Sequence, residues 1–527
     1  MNKLIFYILV LSAWMFASCE NDLDQMPHTE TTSASVYAEA ANYKAVLAKL
    51  YASFVINGQE KGGGNADMVS NNGQDYMRSY FNLQECGTDE LASTWLEGDK
   101  VGDLTFLTWD ANDPWVSDMY YHIYYTIALC NELLRNAGDD RIAGFTETEQ
   151  EDIRNYRAEA RFIRALAYYH ALDLFRNIPF VTEADPVGAF IPPRYEATQV
   201  FEFIETELKA IEEELLDKES CEYGRAPRAA AWTLLAKLYL NAQVYTGSER
   251  YTDCITYCNK VINEGGYSLE GDFKKLFNAD NHKRTNEIIF PLPVDAVHTV
   301  SWGATTYIIC GAVSNTSDYQ IPGDYGVTSG WGMFRIRGEV PLLFNAADGR
   351  NLFFTEGQTR TVEVIDNQSN GYFVEKWTNL TDAGGEASNT VDGGVNTDYP
   401  MFRLADVYLM LAESVLRGGT GSSATIALNL VNELRERAFG DNYETSGKLV
   451  STEFNVNLIL DERARELLWE CTRRTDLIRY NKFTTSDYVW QWKGGVKDGR
   501  AVDDKYNIYP IPTSDLTANP NLYNEDY

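Results

Sequence analysis

The chain has 527 residues, of which 44% are hydrophobic and 23% charged, a composition that supports a sizeable globular core. A formal net charge of -32 sets it against phosphate backbones and anionic lipid surfaces, so nucleic acid is excluded as a partner and neutral ligands fit best. Beyond the first nineteen residues no run is long and apolar enough to span a bilayer as a helix.

The N-terminus carries an address. Lys3 supplies a positive start, Leu4 to Phe16 a short apolar run, and Ala17-Ser18-Cys19 a small-residue close. This pattern predicts a lipoprotein signal peptide over 1–18, cleaved before Cys19, whose thiol is then acylated. The segment 19–35 begins Glu20-Asn21-Asp22-Leu23-Asp24 and reads as a solvated acidic tether. The mature chain would then be anchored to a membrane by lipid without crossing it. No linker divides the remainder, so 36–527 is expected to be a single domain.

Apolar residues recur at helical spacing from Val36 to Phe54 and from Trp115 to Leu134. The clearest helix is Arg154 to Phe175, where Ala158, Phe162, Ala165, Leu166, Tyr169 and Leu172 form a stripe beside Arg157, Arg161 and Arg164. Val200 to Leu216, Ala229 to Ala242 and Tyr251 to Ile262 continue the pattern. Helices return at Met401 to Leu416, Ala424 to Ala438 and Leu458 to Tyr480. Small residues facing aromatics at these spacings predict a mainly α fold built on tetratricopeptide-like helix pairs. Two loop-rich regions, about 58–112 and 267–400, interrupt it, the second with short β-like runs at Glu287 to Leu292 and Tyr372 to Trp377. Long loops in such a body usually carry function, so binding chemistry is expected there and scaffold in the helices. The tail YNIYPIPTSDLTANPNLYNEDY is read as non-helical, because its prolines remove donors and clash with a preceding turn.

Metal and redox chemistry find little support. The seven cysteines after Cys19 form no Cys-x-x-Cys pair, and Cys254 with Cys258 reads as buried small hydrophobes. The five histidines lack metal-ligand spacing, so no metal and no cofactor are expected, and His170 reads as a packed residue rather than a base.

The small-residue close before Cys19, the helix RAEARFIRALAYYHALDLF, FRLADVYLMLAE, RARELLWECTRRTDLIRY and the terminal YPIPTSDLTANPNLY together resemble the SusD/RagB family over essentially the whole mature chain. That resemblance implies a surface-exposed, outer-membrane lipoprotein that binds glycans and works with a SusC-type TonB-dependent transporter. It assigns glycan binding to the two loop-rich regions. FNLQECGTDELASTW, SWGATTYIICG, TSGWGMF, LNAQVYTG and VWQWKGG further resemble the family's starch-binding prototype, which implies an α-glucan ligand. Carried over residue by residue, the prototype's aromatic arc falls on Trp95, Trp302 and Trp331, and its accompanying arginine on Arg78. Gly98 stands where the prototype has Asn, with Asp99 or Lys100 as possible substitutes. Indole faces pack against the C-H faces of sugar rings, and a guanidinium fork can bridge hydroxyls.

Alternative readings are the same uptake role for a different glycan, a glycoside hydrolase, and a peptide-binding helical-repeat scaffold. A hydrolase needs two carboxylates set apart across a sugar, whereas Asp89-Glu90 and Asp503-Asp504 read as solvated charge pairs. No catalytic residue is therefore assigned. Trp232, Trp469, Trp490 and Trp492 are expected to be structural.

Overall fold

Helix starts are written locally, and the computed structural model, which describes residues 33–527 except 61, 63, 69–73, 389 and 391–393, uses them. The signal peptide, Cys19 and most of the tether lie outside the described residues. Thr146 and Glu149 form a capping box at the start of the helix Glu147–Phe175. Asp113 caps Pro114–Asn136 by accepting from the Trp115 and Val116 amides, with Pro114 at the first helical position. These two long helices pack on each other, and the stack continues through Ala197–Ile211, Arg228–Leu240 and Tyr251–Glu264. After the long irregular insertion it resumes at Leu404–Leu416, which packs on Tyr251–Glu264, and ends with Ala424–Phe439. The result is the expected mainly helical fold of helix pairs with small two-stranded sheets.

The apolar stripe of Glu147–Phe175 is fully buried at Ala158, Phe162, Ala165 and Leu166. Its arginine row binds the neighbouring helix: Arg161 and Arg164 both donate to Glu207, the latter at 2.8 Å. His170 is buried, stacked on Tyr80 and hydrogen-bonded to the Tyr76 hydroxyl at 2.7 Å. Burial pushes its imidazole down to about 3, so it stays neutral. Cys254 and Cys258 lie in the core, as do Trp232, Trp469 and Trp490.

Several expectations need correction. The run from Leu458 to Tyr480 is two helices, Val456–Glu466 and Arg473–Arg479, separated by Trp469 and Cys471 with φ of 60° and 57°. Remote carboxylates draw these backbone donors out of the helical ladder: the Trp469 amide donates to Glu90 and the Cys471 amide to Glu85 at 2.8 Å. Met401 belongs to the strand Tyr399–Arg403, antiparallel to Ile288–Leu292, and the helix starts only at Leu404. The tail does contain a helical turn, Thr513–Ala518, entered through Pro512 and finished before Pro520, where proline is tolerated. Asp89 and Glu90 are buried, not solvated, and Asp89 is held by Arg473 at 2.6 and 2.8 Å. The loop-rich regions contain helices as well, and two of them, Tyr76–Glu85 and Ala304–Gly311, are buried on every side.

Candidate functional site

Three segments remote in sequence meet at the exposed edge of these two buried helices. Trp95 follows the strand Ala92–Ser93, which pairs antiparallel with Phe334–Arg335, and Trp331 precedes that partner strand. The ladder continues outward, with the Thr94 amide on the Met333 carbonyl at 2.8 Å, so both indoles emerge at the same end. Trp302 stands just ahead of the helix Ala304–Gly311, and the Trp331 amide donates to Cys310 near that helix's C-terminal end at 2.8 Å. Trp95 and Trp331 have ring centroids 6.4 Å apart with planes inclined by 19°. Trp302 and Trp331 are 6.3 Å apart with planes inclined by 58°. The row of indoles therefore turns.

Trp95 and Trp302 are 39% and 41% exposed, while Trp331, between them, is half-buried against Tyr307. Isolated exposed aromatics are common, but three on one surface make a contiguous apolar patch of the kind that marks binding sites. Glycines make the approach possible. A Cβ at Gly330 would lie 2.1 Å from the Ser314 carbonyl, and Gly332 has φ of +61° with Gln368 pressed against it. Gln368 and its amide partner Asn315, 2.7 Å away, thus sit beside Trp331 as polar neighbours that sequence reasoning did not single out.

Arg78 lies beneath the arc and is only 5% exposed. Its Nη1 donates to the Trp302 carbonyl at 2.6 Å, its Nη2 pairs with Asp99, and its guanidinium lies 4.0 Å from the Tyr307 ring centroid. The fork is thus engaged with protein groups on the side away from solvent. Asp99 also accepts from the Tyr307 hydroxyl at 2.8 Å, so of the two residues considered as stand-ins for Asn it is committed inward. Burial raises its carboxyl despite the opposing pull of Arg78. Lys100 is exposed, and the position of Gly98 is open, with nothing within 4 Å of an added Cβ.

A second buried carboxylate holds the other flank. Asp75 caps Tyr76–Glu85 by accepting from the Arg78 amide at 2.8 Å, and it also accepts from the Ser301 hydroxyl and the Ala304 amide. Burial pushes Asp75 up to about 6 against these hydrogen bonds. One carboxylate thereby ties the Trp302 loop to the helix carrying Arg78, a link invisible in a sequence where the two lie far apart.

The chemistry of the surface is that of stacking and hydrogen bonding. Asp503 and Asp504 remain exposed, as read from the sequence, while Asp89 and Glu90 are locked in the interior. Among the described residues no group of three or more His, Cys, Asp or Glu is arranged to hold a metal ion, and no helix is long and apolar enough to cross a membrane.

Known proteins resemble this chain in sequence and in fold. The family described as "SusD family" matches residues 347–527, and that described as "Starch-binding associating with outer membrane" matches 23–240. The starch-binding protein SusD of Bacteroides thetaiotaomicron is 33% identical, over 99% of this chain and 97% of its own. Among solved structures, a SusD superfamily protein from Parabacteroides distasonis superposes with a TM-score of 0.71 at 20% identity, over 94% of this chain and 100% of its own. A surface glycan-binding protein A from Bacteroides fluxus gives 0.69 at 20% identity, over 92% and 99%. This chain belongs to the SusD family of non-catalytic surface glycan-binding proteins that associate with the outer membrane.

Proposed function

We propose that the protein captures α-glucan, as starch or malto-oligosaccharide, on the arc of Trp95, Trp302 and Trp331 and delivers it to a SusC-type TonB-dependent transporter, while lipid on Cys19 holds it at the cell surface. The observation that carries the ligand assignment is the turning row of three indoles at spacings of 6.3 and 6.4 Å. Each indole face matches the C-H face of one sugar ring. A row whose planes rotate follows the helical twist of an α-1,4 chain, whereas a flat β-linked chain needs a coplanar platform. The 33% identity to a protein named for starch binding supports the same choice. Arg78 sets the position of Trp302 and Asp99 from below, and its role in capture is chiefly to hold the arc's shape.

Calorimetry with maltoheptaose and a cyclic α-glucan tests the assignment. Binding on an open surface near the millimolar range corresponds to about -4 kcal/mol, so loss of ~1.4 kcal/mol from one stack in Trp302→Ala or Trp331→Ala appears as a tenfold drop. The pre-curved cyclic ligand should compete well, since it loses little ordering entropy. Wild-type affinity in both variants, or binding of flat β-glucans alone, would overturn the α-glucan reading. For the anchor, Cys19→Ala should move the protein into soluble fractions, because stable attachment needs both acyl chains. Complete resistance of wild-type cells to protease shaving would rule out surface display. Co-purification with a SusC-type barrel transporter tests the hand-over.

A further inference from the structure

A further exposed aromatic lies outside the arc. Tyr223 is 42% exposed, yet its hydroxyl is fixed: it donates to the buried carboxylate of Asp398. Asp398 is itself held by the Val294 amide at 2.7 Å and, through its own amide, by Asn281 at 3.0 Å. With the polar end of the ring occupied, the hydroxyl takes no further part in the exposed surface of the residue. The backbone is fixed as well. Gly224 has φ of +86°, and a Cβ there would fall 2.7 Å from Pro293, so the loop is pressed onto the segment that leads to Trp302. An exposed aromatic pinned at both ends is a pre-organised stacking platform.

The surroundings suit a chain-like ligand. Tyr223 lines three clefts: one against Tyr51 and Val55, one toward Tyr267, and one toward His282 and Asn396. Thr299 lines the first and the third. It stands three residues before Trp302, a distance that the backbone covers in at most ~11 Å. Thr299 thus links the clefts at Tyr223 to the segment that carries Trp302. The third cleft sets the His282 imidazole and the Asn396 amide beside the carboxylates of Asp280 and Asp295, a mixture of donors and acceptors suited to hydroxyls. Its acidity disfavours uronic or sulfated sugars and favours neutral ones.

We infer that Tyr223 and its cleft form a second carbohydrate platform, which takes the continuation of a neutral glucan already held on the arc. The inference rests on the reading of the arc as a glucan site. Such a platform adds nothing for a short ligand. For a long one it acts through effective concentration, because binding at the arc presents the rest of the chain to Tyr223.

The test compares maltotriose, short enough for the arc alone, with amylose, using the full mature protein and calorimetry. Tyr223→Ala should bind maltotriose as the wild type does and bind amylose about three- to tenfold more weakly. Tyr223→Phe, which keeps the ring, should retain amylose affinity within about twofold. Unchanged amylose affinity in Tyr223→Ala overturns the inference. Equal weakening toward both ligands with a lowered Tm also overturns it, because the residue would then be structural. If Trp302→Ala and Trp331→Ala bind amylose like the wild type, the arc reading fails first. If they lose it while Tyr223→Ala does not, only the second platform falls.

Discussion

Around Arg403 the protein buries charge, and around Trp331 it exposes indole. Both placements run against the usual partition, but they are resolved differently. Arg403 is 1% exposed and paired with Glu466 at 2.7 Å, Glu470 at 2.6 Å and Glu287 at 3.1 Å. Arg350 is held by Asp348, Glu462 and Glu466, Arg437 by Glu287 and Glu466, and Lys376 by Glu470. Desolvation of each ion is offset by partners inside the chain. The indoles of the arc have no such compensation from the protein on their outer faces, although Trp302 and Trp95 are two-fifths exposed. An unfavourable placement satisfied from within is architecture. One left unsatisfied is where an outside ligand gains most from binding.

The largest predicted effect strikes the buried network. Glu466→Ala takes one carboxylate partner from each of Arg350, Arg403 and Arg437 and should cost ~3–5 kcal/mol, read as a lowered urea midpoint, while any protein that remains folded keeps wild-type glucan affinity. A variant of near-native stability would show that the network is not what supports this half of the fold.

Acid should act on the same region. Burial alone would raise the Glu413 carboxyl, but Arg479 outweighs it and holds the group down to about 2, below its ordinary 4.5. Its stabilising contribution is therefore full above 4.5 and is lost as pH falls toward 2, on the order of 3 kcal/mol. Asp75 carries the opposite sign. Raised to about 6 by burial, it binds a proton more readily folded than unfolded, so its contribution to stability grows as pH drops from 6 toward its ordinary 3.8. Protonation nevertheless weakens its grip on the Ser301–Ala304 turn. Glucan affinity should fall between pH 6 and 5 while the urea midpoint holds. A parallel decline of both would erase the distinction between the two regions.

Two smaller changes sharpen it. Ala165→Phe overpacks a fully buried site and should cost ~1–3 kcal/mol in thermal unfolding with no selective effect on binding. Unchanged melting with lost binding would move that helix from scaffold to site. Gly303→Ala should do the reverse. Its Cβ would come within 2.1 Å of the Asp75 carboxylate, so the Trp302 turn must shift, with affinity falling about tenfold, or ~1.4 kcal/mol, for a change in Tm of only a few degrees.

What could be read in advance followed from locality. The capping box at Thr146 and the Asp113-Pro114 start lie within a few residues of the helices they begin, although the sequence reading starts the first of these helices only at Arg154; its stripe of Ala158, Phe162, Ala165, Leu166, Tyr169 and Leu172 is written within the helix itself. Tyr76–Glu85 and Ala304–Gly311 are not read from the sequence as helices. Every residue of both is buried, polar ones included; Ala304–Gly311 is short and nearly uniformly apolar, and Tyr76–Glu85, though its apolar residues recur at helical spacing, lies in a region read as loop. The break at Trp469 was equally hidden, since the carboxylates that cause it come from Glu85 and Glu90, far back in the chain.

By itself the sequence determined the helical scaffold, the lipoprotein address at Cys19 as an expectation, and the family, whose motifs run the length of the chain. It also named Trp95, Trp302, Trp331 and Arg78 through resemblance. Only the tertiary structure decided that the indoles meet, at what spacing and tilt, and that Arg78 and Asp99 face inward beneath them. The reason is range: caps and periodicity act within a turn or two, whereas the arc depends on a strand pair joining residues 92–93 to 334–335 and on the Asp75 carboxylate reaching Ser301.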